Sequence, residues 1–363
     1  MQRNLDRRGF ESLLNEATRP SPLGTSAFDS MLGLSVRRWC APVLDLDPLA
    51  APDDYLTRRA ELGYAEAAGR FLSRAGLRDL IVDTGYVPEP VSTPTELGTM
   101  ARARAHQVVR LESTAEDLLA EGVSAADFGD RLVERMASST AVGAKTVAAY
   151  RVGLALPATK PTEQALGGAL SAVCQDHNGR PDRGGAYRVA HPVVHAYLAW
   201  TAIEVGLPLQ IHVGFGDNDL NLHECDPLLL TGFLRATQGS GVPVLLLHNY
   251  PFHRQASYLA QVFDHVFMDV GLAVHNTGVL SRALIRESLE VVPFGKMLYS
   301  SDAFGLAELY YLGALLFRRG LATIVGSLID RHEMGEADAT RIFDLVGSAN
   351  AERVYGLAVG SST

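Results

Sequence analysis

The sequence predicts an α/β fold of the (β/α)8 class, a TIM barrel that lacks its first strand or carries it truncated. Three observations predict it. Short apolar runs alternate with helical stretches along most of the chain, the pattern of a parallel α/β protein. The runs are continuously apolar, as in strands buried on both faces. Three of them, residues 209–214, 242–249 and 296–302, end in or near His212, His248 and Asp302. Catalytic groups of a parallel barrel gather where its strands stop, at the C-terminal face.

In chain order, residues 1–25 are polar and helix-permissive up to Ala17, then break at Pro20-Ser21-Pro22. A helix is expected over 26–39, and a longer one over 53–75 closed by Gly76 as a C-cap. Strands follow at 79–85, 107–112 and 145–151, separated by a short helix near Thr95 and a helical region over 115–139 interrupted near Gly122. A helix near 163–174 leads to a loose segment, 178–185, expected to be a surface loop. An apolar helix over 187–206 delivers the chain to the strand ending at His212. Helices at 226–239, 253–263 and 278–291 then alternate with strands ending at His248, Asp269 and Asp302, and helices near 305–319 and 338–355 finish the chain. The strand ends are near Asp83, Glu112, Arg151, His212, His248, Asp269 and Asp302, seven where a closed barrel needs eight. A doubly wound sheet accommodates seven, but no Gly-rich phosphate loop follows the first strand. One domain is expected over 1–363, with an N-terminal helical segment at 1–45 and the barrel at 46–357.

Composition narrows the function. Net charge is −9 from 32 basic and 41 acidic residues, which gives a nucleic-acid role no electrostatic support. Cys40, Cys174 and Cys225 are scattered without a CxxC pair, as in a reducing compartment. The N-terminus has no apolar signal core, and no apolar run was expected to reach the roughly 20 residues of a membrane span. A cytoplasmic protein with a small-molecule substrate is expected, without nucleic-acid or membrane partners; a homo-oligomer is compatible with the sequence, which sets no oligomeric state.

Two imidazoles and a carboxylate meeting at one face make a divalent-metal site by donor chemistry. The segments Ile211-His212-Val213-Gly214-Phe215-Gly216-Asp217, Leu247-His248-Asn249-Tyr250-Pro251 and Tyr299-Ser300-Ser301-Asp302-Ala303 resemble the amidohydrolase superfamily, in particular the amidohydrolase-related (amidohydrolase 2) branch that includes the nodulin/glutamine-synthetase-associated hydrolases. The resemblance implies a barrel with a divalent metal, zinc above all. It implies His212 as a metal ligand, His248 as the group that orients or protonates the reacting atoms, and Asp302 as both metal ligand and general base. The family's first strand carries a His-x-His pair, and none occurs in these 363 residues. Two expectations follow: a start that lies inside a longer gene, or a homologue that has lost its metal chemistry.

Each residue also has a plainer reading. Asp302 would serve equally as a helix N-cap, and His212 and His248 as satisfied core histidines. Arg151, placed near a strand end, is a candidate clamp for a substrate carboxylate; the plain alternative is a salt bridge. Glu112 and Asn249 are candidate cavity-lining, substrate-binding groups, with Asn249 able instead to shape a turn. Asp83 and Asp269 are weaker candidates. Lys145 is expected at the start of its strand, on the opposite face of the barrel. His191 and His195 share a helical face by spacing and are read as packing or surface residues. The leading expectation is a metal-dependent hydrolase of a C–N bond in a small carboxylate-bearing substrate. The alternatives are a metal-dependent decarboxylase of a small organic acid and a non-catalytic binding barrel.

Overall fold

The computed structural model describes residues 5–85, 91–179 and 187–357; the expected loop at 178–185 falls mostly outside them. Six strands form one sheet: β1 (Asp79–Asp83), β2 (Arg104–Arg110), β3 (Gly143–Thr146), β4 (Leu209–Val213), β5 (Val244–His248) and β6 (Val266–Met268). They lie side by side in sequence order, and every pairing is parallel. A parallel bridge from Met268 to Met297 attaches the 297–302 stretch as a seventh position. This is an open α/β barrel. Among the described residues no strand lies on the free side of β1, so they do not form a full eight-stranded ring; the expectation was a barrel with its first strand missing or truncated.

The period-two geometry of strands sorts side chains between two apolar layers. Leu209, Ile211, Val213, Val244, Leu246, Val266 and Met268 face the surrounding helices. Leu245, Leu247, Phe267 and Leu298 face the barrel axis, where Val354, Tyr355 and Leu357 close the N-terminal end. His212 follows the same alternation as Gln210, whose amide donates to the Tyr355 hydroxyl at 2.7 Å. The imidazole therefore points inward, one pleat nearer the mouth.

Helix Pro52–Ala75 ends as expected at Gly76, with φ +60°, and bends at Gly63, with φ +74°. Helix Pro94–Ala101 opens with a Thr93/Glu96 capping box. The chain before it is anchored by Phe10, which stacks on Phe28 at 5.8 Å and meets Tyr55 at 5.9 Å.

Two expected strands are displaced. The chain leaves β2 at Arg110, and helix Leu111–Ala120 begins at once because Leu111, Ala115, Leu118 and Leu119 form its buried stripe. Glu112 thus occupies a first helical turn. The next strand is β3, followed by a 3-10 turn, Ala148–Tyr150, so Arg151 lies beyond the strand and Lys145 near its C-terminal end. The expected helix near 305–319 extends to Ala307–Asp330. It is the one described helix long and apolar enough to cross a membrane by length and composition, contrary to the expectation of no such run. Its residues Leu309, Leu312, Leu316, Phe317, Leu321 and Val325 are buried, and it packs on helices Pro52–Ala75 and Ser281–Leu289.

Candidate functional site

The C-terminal ends of β4 and β5 place two imidazoles in contact. The His212 and His248 rings are 4.6 Å apart, and the Tyr150 ring also lies 4.6 Å from His212. Asp302, from the seventh position, brings Oδ2 to 3.5 Å from His248 Nε2. The three groups that sequence reasoning singled out as ligands or acid/base groups therefore share one end of one cavity of about 1320 Å³.

The backbone is bent to achieve this. His248, Asn249 and Asp302 have φ of +71°, +60° and +50°, a left-handed region that costs a residue bearing a Cβ of order 1 kcal/mol or more. Hydrogen bonds hold the β5 turn in place. The His248 N–H donates to Asp269 Oδ1 at 2.7 Å, and the same oxygen accepts from the Gly271 N–H at 3.0 Å. Asn249 Nδ2 donates to the carbonyls of Leu246 and Asp269 at 2.6 and 2.9 Å. Asn249 is fully buried and does not line the cavity. Its position corrects the substrate-binding expectation: it shapes the turn that aims His248.

Two other expected substrate contacts are also displaced. Glu112 is fully buried away from the cavity, where it accepts from the Thr146 hydroxyl at 2.5 Å and from Val147 N–H at 3.0 Å. His195 Nδ1 lies 3.2 Å from it. The helical start at Leu111 turned Glu112 away from the barrel axis. Arg151 borders the cavity, but its guanidinium is held by Glu116 and donates to the Val189 carbonyl at 2.9 Å. The plain salt-bridge reading describes this arrangement better than a free carboxylate clamp.

Other residues join the site from places the sequence did not mark. Lys145 Nζ lies 3.3 Å from Asp83 Oδ2 and 4.0 Å from Asp302 Oδ1, which corrects its expected place on the opposite face. Arg110 pairs with Asp83, with Nε at 3.0 Å from Oδ2. His275, on helix Gly271–Asn276, is buried with Nδ1 unpartnered. Glu16 enters the mouth from the N-terminal segment, which is seated there by Leu13 against Gly305. The legible signal was Lys145, a lone cation inside the apolar run Val142-Gly143-Ala144-Lys145-Thr146-Val147. Nothing in the sequence marked Glu16.

Burial sets the charge states. It pushes His212 well below the usual imidazole range and lowers His248 too, against the pull of Asp302. It takes His275 down to about 4. Burial also opposes ionisation of Asp302, but the imidazoles and the Lys145 ammonium outweigh it and hold the carboxyl well below its usual range. Asp83 is lowered in the same way, burial being overcome by Lys145 and Arg110. Glu16 moves the other way: burial, then the charges of Asp302 and Asp217, raise it to about 7. The site at neutral pH thus combines neutral imidazoles with an ionised carboxylate.

These donors fit a divalent cation in kind. His212 Nε2 and both ring nitrogens of His248 are buried without hydrogen-bond partners, which is costly unless another group satisfies them. Neutral imidazole and carboxylate suit zinc-type coordination. Among the described residues, however, no three His, Cys, Asp or Glu side chains form a group ready to enclose an ion.

An α/β barrel with imidazoles and a carboxylate at its C-terminal face defines the general architecture of a metallohydrolase. The amidohydrolase family model matches residues 103–357, and the chain belongs to that family. Protein fluG of Emericella nidulans is 28% identical over 241 residues, 64% of this chain and 27% of that protein; the chain thus matches about a quarter of the length of this curated relative. A solved structure from Lactobacillus casei ATCC 334, provisionally described as a metal-dependent hydrolase, superposes with a TM-score of 0.83 at 26% identity, covering 98% of this chain and 91% of that one. Uronate isomerase of Thermotoga maritima has a TM-score of 0.56 at 12% identity, over 92% of this chain and 79% of that one, a likeness of fold alone.

Proposed function

We propose that this chain is a metal-dependent hydrolase of the amidohydrolase type, in the nodulin/glutamine-synthetase-associated branch, acting on a C–N bond of a small polar substrate that bears a carboxylate. The observation that carries this reading is the convergence of His212, His248 and Asp302 on one cavity end, with unpartnered imidazole nitrogens facing a carboxylate. His212 and Asp302 would hold a divalent cation, zinc by donor type. When bound, such an ion supplies Lewis acidity and activates water near neutral pH.

The chain's own groups supply the remaining steps. Asp302, held ionised, takes a proton from the attacking water at a carboxylate oxygen. His248, aimed by the Asp269 and Asn249 turn, orients the reacting group and relays to the leaving nitrogen the proton that Asp302 has taken from water. Lys145 keeps Asp302 charged and offers an ammonium to an incoming carboxylate. The Arg110–Asp83 pair fixes Lys145 from behind. Family membership and scattered thiols support a cytoplasmic enzyme with a small-molecule substrate rather than a nucleic-acid partner.

The test pairs metal analysis with product analysis. The purified chain is incubated with zinc, desalted and assayed for bound metal, then screened against N-acyl amino acids and small carboxylate-bearing amides for released amine or ammonia. About one retained metal per chain, together with amine release that His212→Ala removes, supports the reading. Release of carbon dioxide from small organic acids would replace it with decarboxylation. A chain that retains no zinc and turns over nothing would instead be a binding barrel.

A further inference from the structure

Away from His212, His248 and Asp302, charged side chains converge on one backbone residue. The Val189 N–H donates to Glu116 Oε1 at 2.9 Å. The Val189 carbonyl accepts from Arg151 Nη1 at 2.9 Å and from His195 Nε2 at 3.0 Å. Glu116 also pairs with Arg151, and His195 Nδ1 faces Glu112 Oε1 at 3.2 Å. Glu112 and His195 are fully buried, and Arg151 and Glu116 nearly so. Burying charge is costly unless it is paired and bonded, and of these four only Arg151 borders the cavity. What they fix is the approach to helix Pro192–Glu204. Burial alternates there: Val189 is in the core, whereas Arg188 and Ala190 are exposed. With Val189 pinned inward by three bonds, Arg188 is turned to the other side and lines the cavity mouth.

Arg188 differs from the other cations of that cavity. Arg110 is bonded to Asp83, Lys145 lies between Asp83 and Asp302, and Arg151 is held by Glu116. Arg78 pairs with Asp79 and Glu352, and Arg318 donates to the carbonyls of Ala75 and Gly76. Among the described residues no carboxylate or carbonyl bonds to the Arg188 guanidinium. Asp217 and Asp219 share its rim. Asp217 accepts from the Asp219 N–H at 3.0 Å and feels the Arg188 charge without forming an ion pair with it. The loop carrying Asp217 is pressed on Tyr150, since a Cβ at Gly216 would meet the Tyr150 hydroxyl at 2.0 Å. The Tyr150 ring in turn lies 4.6 Å from His212. This rim is therefore on the β4 side of the site.

We propose that Arg188 selects substrates by a carboxylate carried at the end away from the bond that breaks, and that Glu112, Glu116, Arg151 and His195 are its positioning residues. A planar guanidinium takes a carboxylate through two parallel N–H···O bonds. Lys145, shared by two carboxylates, serves the reacting end, whereas Arg188 is unengaged and serves the far end. The bond that breaks rests on the hydrolase reading; the anion site itself does not.

The first readout needs no turnover. Phenylglyoxal modifies accessible guanidinium groups, and mass spectrometry follows its rate at Arg188 on the full chain. Succinate is expected to slow that rate at least fivefold and its diamide, succinamide, not at all, with the exposed Arg235 and Arg341 as internal references. In Glu116→Gln, with folding checked by circular dichroism, protection by succinate is expected to weaken at least threefold. The second readout uses a substrate found by amine release. Arg188→Ala is expected to raise KM at least tenfold for the carboxylate substrate and less than twofold for the same molecule with that carboxylate as its amide, with Arg188→Lys recovering part of the loss. Glu116→Gln moves the same ratio in the same direction, whereas a merely structural role lowers both substrates alike. Equal protection by succinate and succinamide, no protection at Arg188, or equal losses on the two substrates would each overturn the proposal. A chain that hydrolyses nothing while succinate still shields Arg188 loses the hydrolase reading and keeps the anion site.

Discussion

The two sides of this barrel are built to different standards of closure. From β3 to β6 every strand has a neighbour on both sides, and the site residues there are fixed by backbone and turn. His212 is aimed by the pleat of β4, and His248 by a turn that Asp269 and Asn249 bond into shape. Across the axis, Asp302 projects from a stretch tied to the sheet by a single bridge, and among the described residues no strand pairs with the other side of β1, which leaves a seam there. There, position is maintained by charge: Lys145 spans Asp83 and Asp302, and Arg110 backs Asp83. Hydrogen-bonded strands locate a side chain by geometry, whereas the seam side locates its carboxylates by attraction. The closed side should therefore respond to changes of turn conformation, and the seam side to changes of charge.

The largest effect is expected at the junction of the two sides. Asp302→Asn preserves size but removes the negative charge and the proton acceptor. A lost general base costs about 10²–10⁴-fold in rate, so turnover should fall about 10³-fold, measured on a variant shown to be folded, with a lower midpoint of urea unfolding because the Lys145 ammonium loses one of its two carboxylates. A variant that keeps near-normal turnover would remove Asp302 from the chemistry. Next is Lys145→Met, which leaves Asp83 and Asp302 facing each other with one cation fewer. Removing one partner of a buried charged network costs about 3–5 kcal/mol; because Asp302 is partly open to the cavity, about 3 kcal/mol is expected from urea unfolding at neutral pH. A loss below about 1 kcal/mol would mean that the seam is not held by charge.

What could be read in advance follows the same division. His212 and His248 were legible because each ends an unbroken apolar run, and a strand end fixes where a side chain emerges. Asp302 was legible for the same reason, although its run forms only one bridge of ladder. Glu112 and Arg151 were misplaced by a boundary shift of a few residues: the apolar run that looked like more strand at Leu111 is the buried stripe of a helix. Asn249 sits one residue beyond His248, and only the turn geometry shows its amide bent back to the backbone. Lys145 depended on strand register, since moving the strand start from 145 to 143 carries it toward the mouth. Glu16 reaches the cavity from a distant segment, and His275 lies buried behind Asp302 and His248 on a helix. Their roles arise from tertiary placement, which periodicity does not encode.

On the closed side the test is conformational. Asn249 donates to two buried carbonyls and holds φ at +60°. Asn249→Ala forfeits both bonds and places a Cβ-bearing residue without a compensating side chain in the left-handed region, for an expected loss of about 2–3 kcal/mol. Asn249→Gly loses the same bonds but relieves the backbone, so it should be more stable than the alanine variant by about 1 kcal/mol. Equal unfolding midpoints for the two would show that the turn stores no strain.

The smallest effect, and the one that reads the seam side most directly, belongs to Glu16. Its carboxyl is raised from the ordinary 4.5 to about 7 by burial and by Asp302 and Asp217. Below pH 4.5 both folded and unfolded chains hold the proton, and the charged form is not forced on the mouth. As pH rises from 4.5 toward 7, the unfolded chain releases its proton while the folded chain keeps it. Folding stability therefore declines across that window and levels off above about 7. The two-and-a-half-unit span sets an upper limit of about 3 kcal/mol; partial solvent access at the mouth reduces the expected effect to about 1–2 kcal/mol. Glu16→Gln removes the titration. The variant should match the original chain at pH 4.5 and exceed it by that amount at pH 8, measured by urea unfolding across the range. A difference that is constant with pH would mean that Glu16 does not feel the seam-side carboxylates, and that the acidic mouth is screened more strongly than its burial implies.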